Sequence, residues 1–169
     1  MASWTTPVTH AAGDLLSVSD WNGLANDATF LYQAPYAMFG NTSATSIPAA
    51  AFTVVSMTMG LNNYGIGQTG QAASTSVAGV YRVSAMVTFA TSTAVGYAYI
   101  YKNGAQYAQG SQSTGNGTYG PASAVSALVQ MNGTTDYVNL RAYQASGGAV
   151  STSGSSLSTF MHLDFVGSL

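Results

Sequence analysis

Very few side chains in this sequence can carry acid–base, nucleophilic or metal chemistry. Its carboxylates are five aspartates, Asp14, Asp20, Asp27, Asp136 and Asp164, and glutamate is absent. Its cations are Arg82, Lys102 and Arg141, its imidazoles are His10 and His162, and it has no cysteine. Glycoside hydrolysis needs two carboxyl groups about 5–9.5 Å apart, and only Asp136 and Asp164 fall where the chain reads as strands. Each has a simpler use. Asp136 follows Asn132-Gly133-Thr134-Thr135, a turn in which aspartate ordinarily bonds backbone. Asp164 alternates outward with His162, where Arg141 is a candidate partner across subunits. Zinc requires three or four ligands, so two lone histidines predict no zinc site. Calcium among Asp136 and loop carbonyls would rest on one carboxylate. Serines are plentiful, but no Gly-x-Ser-x-Gly elbow joins a strand to a helix. Gly65-Ile66-Gly67 and Gly115-Asn116-Gly117 open no helix and are not phosphate loops. Asn41, Asn116 and Asn132 match the glycosylation spelling, and turn chemistry accounts for the last two. No catalytic residue, metal or cofactor is assigned, and the expectation is a protein that is not an enzyme.

The composition says what such a chain does instead. Only 5% of its 169 residues are charged, against about 25% in an average globular protein. It is nevertheless 47% hydrophobic, too apolar for a disordered chain. A surface this poor in charge, at net charge −2, self-associates unless its contacts are satisfied in a defined assembly. An oligomer is expected. The three cations are too far apart in sequence to form a phosphate-binding cluster, so no nucleic-acid partner is expected. No run of about 18 apolar residues predicts membrane insertion. Residues 1–30 lack the basic and apolar regions of a signal peptide.

The elements divide the chain at about residue 35. Residues 1–35 read as an attachment arm and helix, and residues 36–169 as a β-sandwich. Ser17-Val18-Ser19-Asp20 has the form of a capping box. Behind it Trp21, Leu24, Ala25, Ala28, Leu31 and Tyr32 recur at helical spacing, and Pro35 ends the helix. A helix of about 14 residues is marginal alone, so its stripe docks either on its own domain or on another protein. From Pro35 strands take over. The clearest is Gly79–Ala90, which sets Tyr81, Val83, Ala85, Val87 and Phe89 on one face. Phe52–Met59 reads as a strand and 60–77 as a loop with short edge pieces. Ala94–Tyr101, Ala124–Met131, Tyr137–Gln144 and Thr159–Val166 follow. Asn103-Gly104 is a hairpin signal. Many short strands split by Asn-Gly and Ser/Gly turns predict an antiparallel sandwich or jelly roll.

Gly79-Val80-Tyr81, Lys102-Asn103-Gly104, Asn132-Gly133 before Asp136-Tyr137-Val138-Asn139-Leu140, and Ser158-Thr159-Phe160 recur in an order that resembles a known family. It is the jelly roll shared by the globular head of the first complement component and the tumour necrosis factors. Met161-His162 stands where that family's closing strand often has glycine. The resemblance implies a homotrimer with one sheet of each subunit facing the threefold axis. It places Tyr97, Tyr99 and Tyr101, with Tyr137, Asn139, Arg141 and Tyr143, at that interface, where tyrosine's large area and polar tip suit a dry centre and wet rim. Separately, Trp4-Thr5-Thr6-Pro7, Ala12-Gly13-Asp14, Ser19-Asp20-Trp21-Asn22 and Phe30-Leu31 resemble the start of many bacteriophage virion proteins. That implies attachment to other virion proteins, of the capsid or tail, through Trp4, Trp21, Leu24, Phe30 and Leu31. The expected protein is a non-enzymatic trimeric knob on the phage particle surface. It would act either at a tail or fibre tip, binding a host glycan or receptor through loops 60–77, 110–120 and 146–156, or as a capsid decoration. The alternatives are a carbohydrate-binding module and, more remotely, an enzyme.

Overall fold

The computed structural model describes residues 11, 13–91, 95–116 and 120–168. Helix α1 spans Val18–Tyr32. Its capping box forms as read: the Asp20 N–H donates to Ser17 Oγ at 3.2 Å, and the Ser17 N–H donates to Asp20 Oδ2 at 2.7 Å. The helix stops at Gln33, two residues before Pro35, whose ring disfavours helical backbone ahead of it.

Among the described residues thirteen strands follow: β1 (Tyr36–Gly40), β2 (Ser46–Ile47), β3 (Thr53–Val54), β4 (Thr58–Asn62), β5 (Ile66–Thr69), β6 (Ala72–Thr75), β7 (Gly79–Thr88), β8 (Gly96–Lys102), β9 (Ala105–Gln109), β10 (Ala122–Met131), β11 (Tyr137–Gln144), β12 (Val150–Ser151) and β13 (Phe160–Gly167). They build two antiparallel layers. The first sheet runs β10-β7-β13-β1-β4 and the second β5-β6-β11-β8-β9, with β3 beside β11 and a small β2-β12 pair apart. The protein is mostly β, a jelly-roll sandwich preceded by one short helix.

The strand Gly79–Ala90 takes the predicted register as β7. Tyr81, Val83, Ala85, Val87 and Phe89 are all buried, between Leu163 and Met161 of β13 and the inward Val125 and Val129 of β10. Val138, Leu140 and Ala142 of β11 and Ala98 and Ile100 of β8 face them from the second sheet. The Tyr81 hydroxyl donates to the Val77 carbonyl at 2.9 Å, and burial pushes its pKa up to about 12.

Phe52–Met59 is not one strand. Thr53–Val54 pairs with β11 in the second sheet, whereas Thr58–Asn62 pairs with β1 in the first. The chain crosses between layers at Val55–Met57, and borrowed partners satisfy its backbone there: Leu140 O takes the Val55 N–H, Thr45 Oγ1 takes the Ser56 N–H, and Gln71 Oε1 takes the Met57 N–H. Asn41 is fully buried beside this crossing, donating to the Ser43 and Ser56 carbonyls and accepting from Thr152 Oγ1. Its glycosylation spelling is therefore structural. Residues 60–77, expected as a loop with short edge pieces, hold the β5–β6 hairpin, whose β5 is an edge of the second sheet. Asn103-Gly104 turns β8 into β9 with positive φ at both residues, as a two-residue hairpin requires. Asn132-Gly133 does something else: it carries the chain from β10 in the first sheet to β11 in the second.

Candidate interaction surfaces

The acidic residues come first, because they set the limit on chemistry. Asp136 sits at the corner between β10 and β11. Its Oδ1 accepts from Asn103 Nδ2 at 2.7 Å, and its Oδ2 accepts the Asn132 N–H at 3.0 Å and ion-pairs Lys102 Nζ at 3.0 Å. Asn132 Oδ1 in turn accepts the N–H groups of Thr134, Thr135 and Asp136, each at 3.0 Å. Both carboxylate oxygens are thus aimed at protein donors, and the corner is a staple between the two Asn-Gly turns. Among the described residues no group of three His, Cys, Asp or Glu side chains converges. Asp164 lies on the outer face of the other sheet, opposite Arg82 and Tyr36. Within the single chain the two carboxylates are therefore not brought together, nor is Asp164 brought to Arg141, which lies on β11 of the second sheet. The Asn103 amide, with Lys102 and the Asn132 N–H, holds the Asp136 carboxyl below the usual aspartate range. A lowered folded-state pKa means that its contribution is complete above the unfolded value of about 4 and is lost as pH falls through the folded value. Asp136→Asn is therefore expected to lower Tm at neutral pH, with the gap to the parent protein closing as pH falls below about 4. Melts followed by circular dichroism check this.

The tyrosine row occupies the outer face of the second sheet, as the alternation required. Tyr101 stands opposite Asn139, Tyr99 opposite Arg141 and Tyr97 opposite Tyr143. Phe52, which by its sequence belongs inside a strand, lies over them. Its ring is 5.0 Å from Tyr99, 5.1 Å from Tyr143 and 6.2 Å from Tyr101. The Arg141 guanidinium covers the Tyr101 ring from 4.1 Å. Tyr99 and Tyr101 are consequently buried within the single chain, while Tyr97, Tyr137 and Tyr143 are half-buried. Burial, with the Tyr97, Tyr101 and Tyr143 hydroxyls around it, pushes the Tyr99 phenol up. Within this layer Asn139 Oδ1 and Arg141 Nε are buried with no hydrogen-bond partner.

The outer face of the first sheet carries a different surface. Its rungs read Tyr36–Asp164–Arg82–Leu128, then Met38–His162–Ser84–Ser126, then Gly40–Phe160–Met86–Ala124. Tyr36, Met38 and Leu128 are exposed, and Phe160 stacks on His162 with ring centroids 4.7 Å apart. The exposed Tyr36 and Met38 on β1 and Leu128 on β10 thus flank a polar middle of Asp164, Arg82, His162 and Ser84. The sequence assigned the interface to the other sheet and not to this face, although Tyr36 and Met38 alternate with buried Ala37 and Phe39. Met161 and His162, the departure from the family pattern, split between the faces, Met161 into the core and His162 onto this patch.

On α1 the structure divides the expected attachment residues. Phe30 is buried in the chain's own fold, edge-on to Phe165 at 5.1 Å, so it is unavailable to a partner. Its sequence neighbours hid this, because Phe30 lies off the apolar stripe. Trp21, Leu24 and Leu31 are exposed. Trp4 lies outside the described residues, as do His10 and the loop aromatic Tyr119. No described helix is long and apolar enough to cross a membrane.

No protein-family model matches the sequence. No curated protein matches it either. Among solved structures the chain is similar to murine APRIL at pH 8.0, with a TM-score of 0.61 and 14% identity over 78% of this chain and 98% of that one. It is also similar to Eiger TNF from S. frugiperda, with a TM-score of 0.62 and 15% identity over 79% of this chain and 93% of that one. These likenesses establish a TNF-like jelly roll, in agreement with the resemblance read from the sequence.

Proposed function

We propose that this chain is a non-enzymatic structural protein of a phage particle, a homotrimeric jelly-roll knob held to the particle through residues 1–35. It would work either at the tail or fibre tip in host attachment or on the capsid as a decoration that stabilises the shell. The observation that carries self-association is the outer face of the first sheet, where Tyr36, Met38 and Leu128 are exposed and Phe160 and Met86 are half-buried. Fully burying side chains of this size is worth about 1.5–3 kcal/mol each. With so few charges, nothing on this face repels an identical copy except the Arg82–Asp164 rung, whose opposite signs are complementary. The TNF-like fold supports the trimeric stoichiometry, as the family resemblance implies. The N-terminal resemblance supports the phage setting.

A second reading puts the trimer on the tyrosine layer of β8 and β11. The buried, unpartnered Asn139 Oδ1 and Arg141 Nε favour it, since such groups cost about 1–3 kcal/mol unless a partner supplies the bond. Against it, Phe52 already closes Tyr99 and Tyr101 within one chain. Light scattering on the purified chain is expected to give three times the chain mass, and a monomer at micromolar concentration would overturn the trimer. Immunogold labelling of intact phage particles tests the location. Label on the capsid or at the tail tip separates the two roles, and particles that take up no label would remove the phage assignment.

A further inference from the structure

Helix α1 docks on its own domain by the wrong side for its sequence. At about 100° per residue, Val18, Trp21, Leu24, Ala25, Ala28, Leu31 and Tyr32 share an arc of about 140°. Phe30, the buried residue of the helix, lies about 170° from the middle of that arc. Gly23 and Asp27 are half-buried on the same far side. The apolar stripe is left in water: Val18 is 76% exposed, Trp21 60%, Leu24 56%, Leu31 68% and Tyr32 88%. A helix of four turns gains its stability from covering such a stripe.

The stripe's spacing says what covers it. Val18, Trp21, Ala25, Ala28 and Tyr32 follow one another at intervals of three, four, three and four residues, the a and d positions of two heptads. Ala25 and Ala28 are small enough to let helix backbones approach closely. The positions flanking this seam are Asn22, Leu24, Thr29 and Leu31, which carry no charge, so identical helices meet without repulsion. Asp20 and Asp27 sit away from the seam. Three residues separate Tyr32 from β1, whose Tyr36 and Met38 belong to the proposed trimer face. We infer that the apolar stripe of α1 packs against α1 of neighbouring copies, forming a short parallel helical stalk continuous with the trimer interface of the sandwiches. Trp21, Leu24 and Leu31 then serve the trimer itself, and attachment of the proposed knob to the particle is left to the residues ahead of α1. This inference rests on the trimer proposed above.

The absence of cysteine makes the test clean. Single variants Ala25→Cys and Ala28→Cys place a thiol in the seam, while Ser19→Cys and Asn26→Cys place one outside it. A disulfide forms only where two Cα atoms come within about 4.4–6.8 Å. Each full-length variant is sized by light scattering, oxidised at low concentration and run on a non-reducing gel. Trimers in which Ala25→Cys and Ala28→Cys give covalent dimers at least about tenfold faster than Ser19→Cys and Asn26→Cys are the expected result. Trimers with no seam cross-link, or with equal cross-linking at all four positions, would overturn the stalk and leave the trimer standing. Monomers would overturn both.

Discussion

Replacing Val83 by aspartate is expected to abolish folding outright. Val83 is fully buried on β7, the strand held between β10 and β13, where it stands opposite Ala127 and Leu163. A carboxylate placed there meets no cation and no hydrogen-bond donor from the surrounding core. Whether it stays ionised or takes up a proton, the cost is several kcal/mol, added to the roughly 1.5–3 kcal/mol of forfeited valine burial. A domain's whole stability is about 5–15 kcal/mol, so little or nothing remains. Insoluble expression, or a soluble chain without a cooperative melt, is the expected outcome. Ser84→Asp supplies the control, because Ser84 is on the outer face of the same strand beside Ser126 and should keep a cooperative melt. A soluble, trimeric Val83→Asp protein would show that the register of β7 is wrong.

Met38→Asp combined with Leu128→Asp should leave the sandwich folded and take the trimer apart. Both side chains are exposed in the single chain, so the substitutions cost the fold little. Taking one apolar side chain of this size out of an interface costs about 1.5–3 kcal/mol, or about ten- to 150-fold in association, and the buried carboxylates add to that. Light scattering should report monomers at concentrations where the parent is a trimer, with an unchanged circular dichroism spectrum. The matching pair Tyr97→Ser with Tyr143→Ser should remain trimeric, since Tyr143 packs on Phe52 and Tyr97 on Tyr143 inside one chain. The reverse pattern, with trimers from the first pair and monomers from the second, would move the interface to the tyrosine layer.

Local information separates from long-range information along a clear line in this chain. Strand β7, the capping box of α1 and the outward set Tyr97, Tyr99, Tyr101 and Tyr143 were legible because each depends on side-chain periodicity within one element. A period of two or of about 3.6 residues assigns faces without knowing what lies opposite. The Asn103-Gly104 hairpin was legible for the same reason, its positive φ values being a local demand.

Facing partners were not legible. Asn132-Gly133 has the same spelling as Asn103-Gly104, yet it joins two sheets because its Asn132 side chain ties the turn to itself and to Asp136. The break at Val55–Met57 depends on Thr45 and Gln71 supplying bonds that no alternation predicts.

By itself the sequence determined a mostly β sandwich, a capped helix with an apolar stripe, and a surface poor in charge. Tertiary structure alone decided which outward faces stay uncovered. Phe52 closes the tyrosine row from a distant part of the chain, and Phe30 turns the helix stripe to solvent by docking through the opposite side. Periodicity says which side chains share a face. Only the packed chain says whether that face has already been covered.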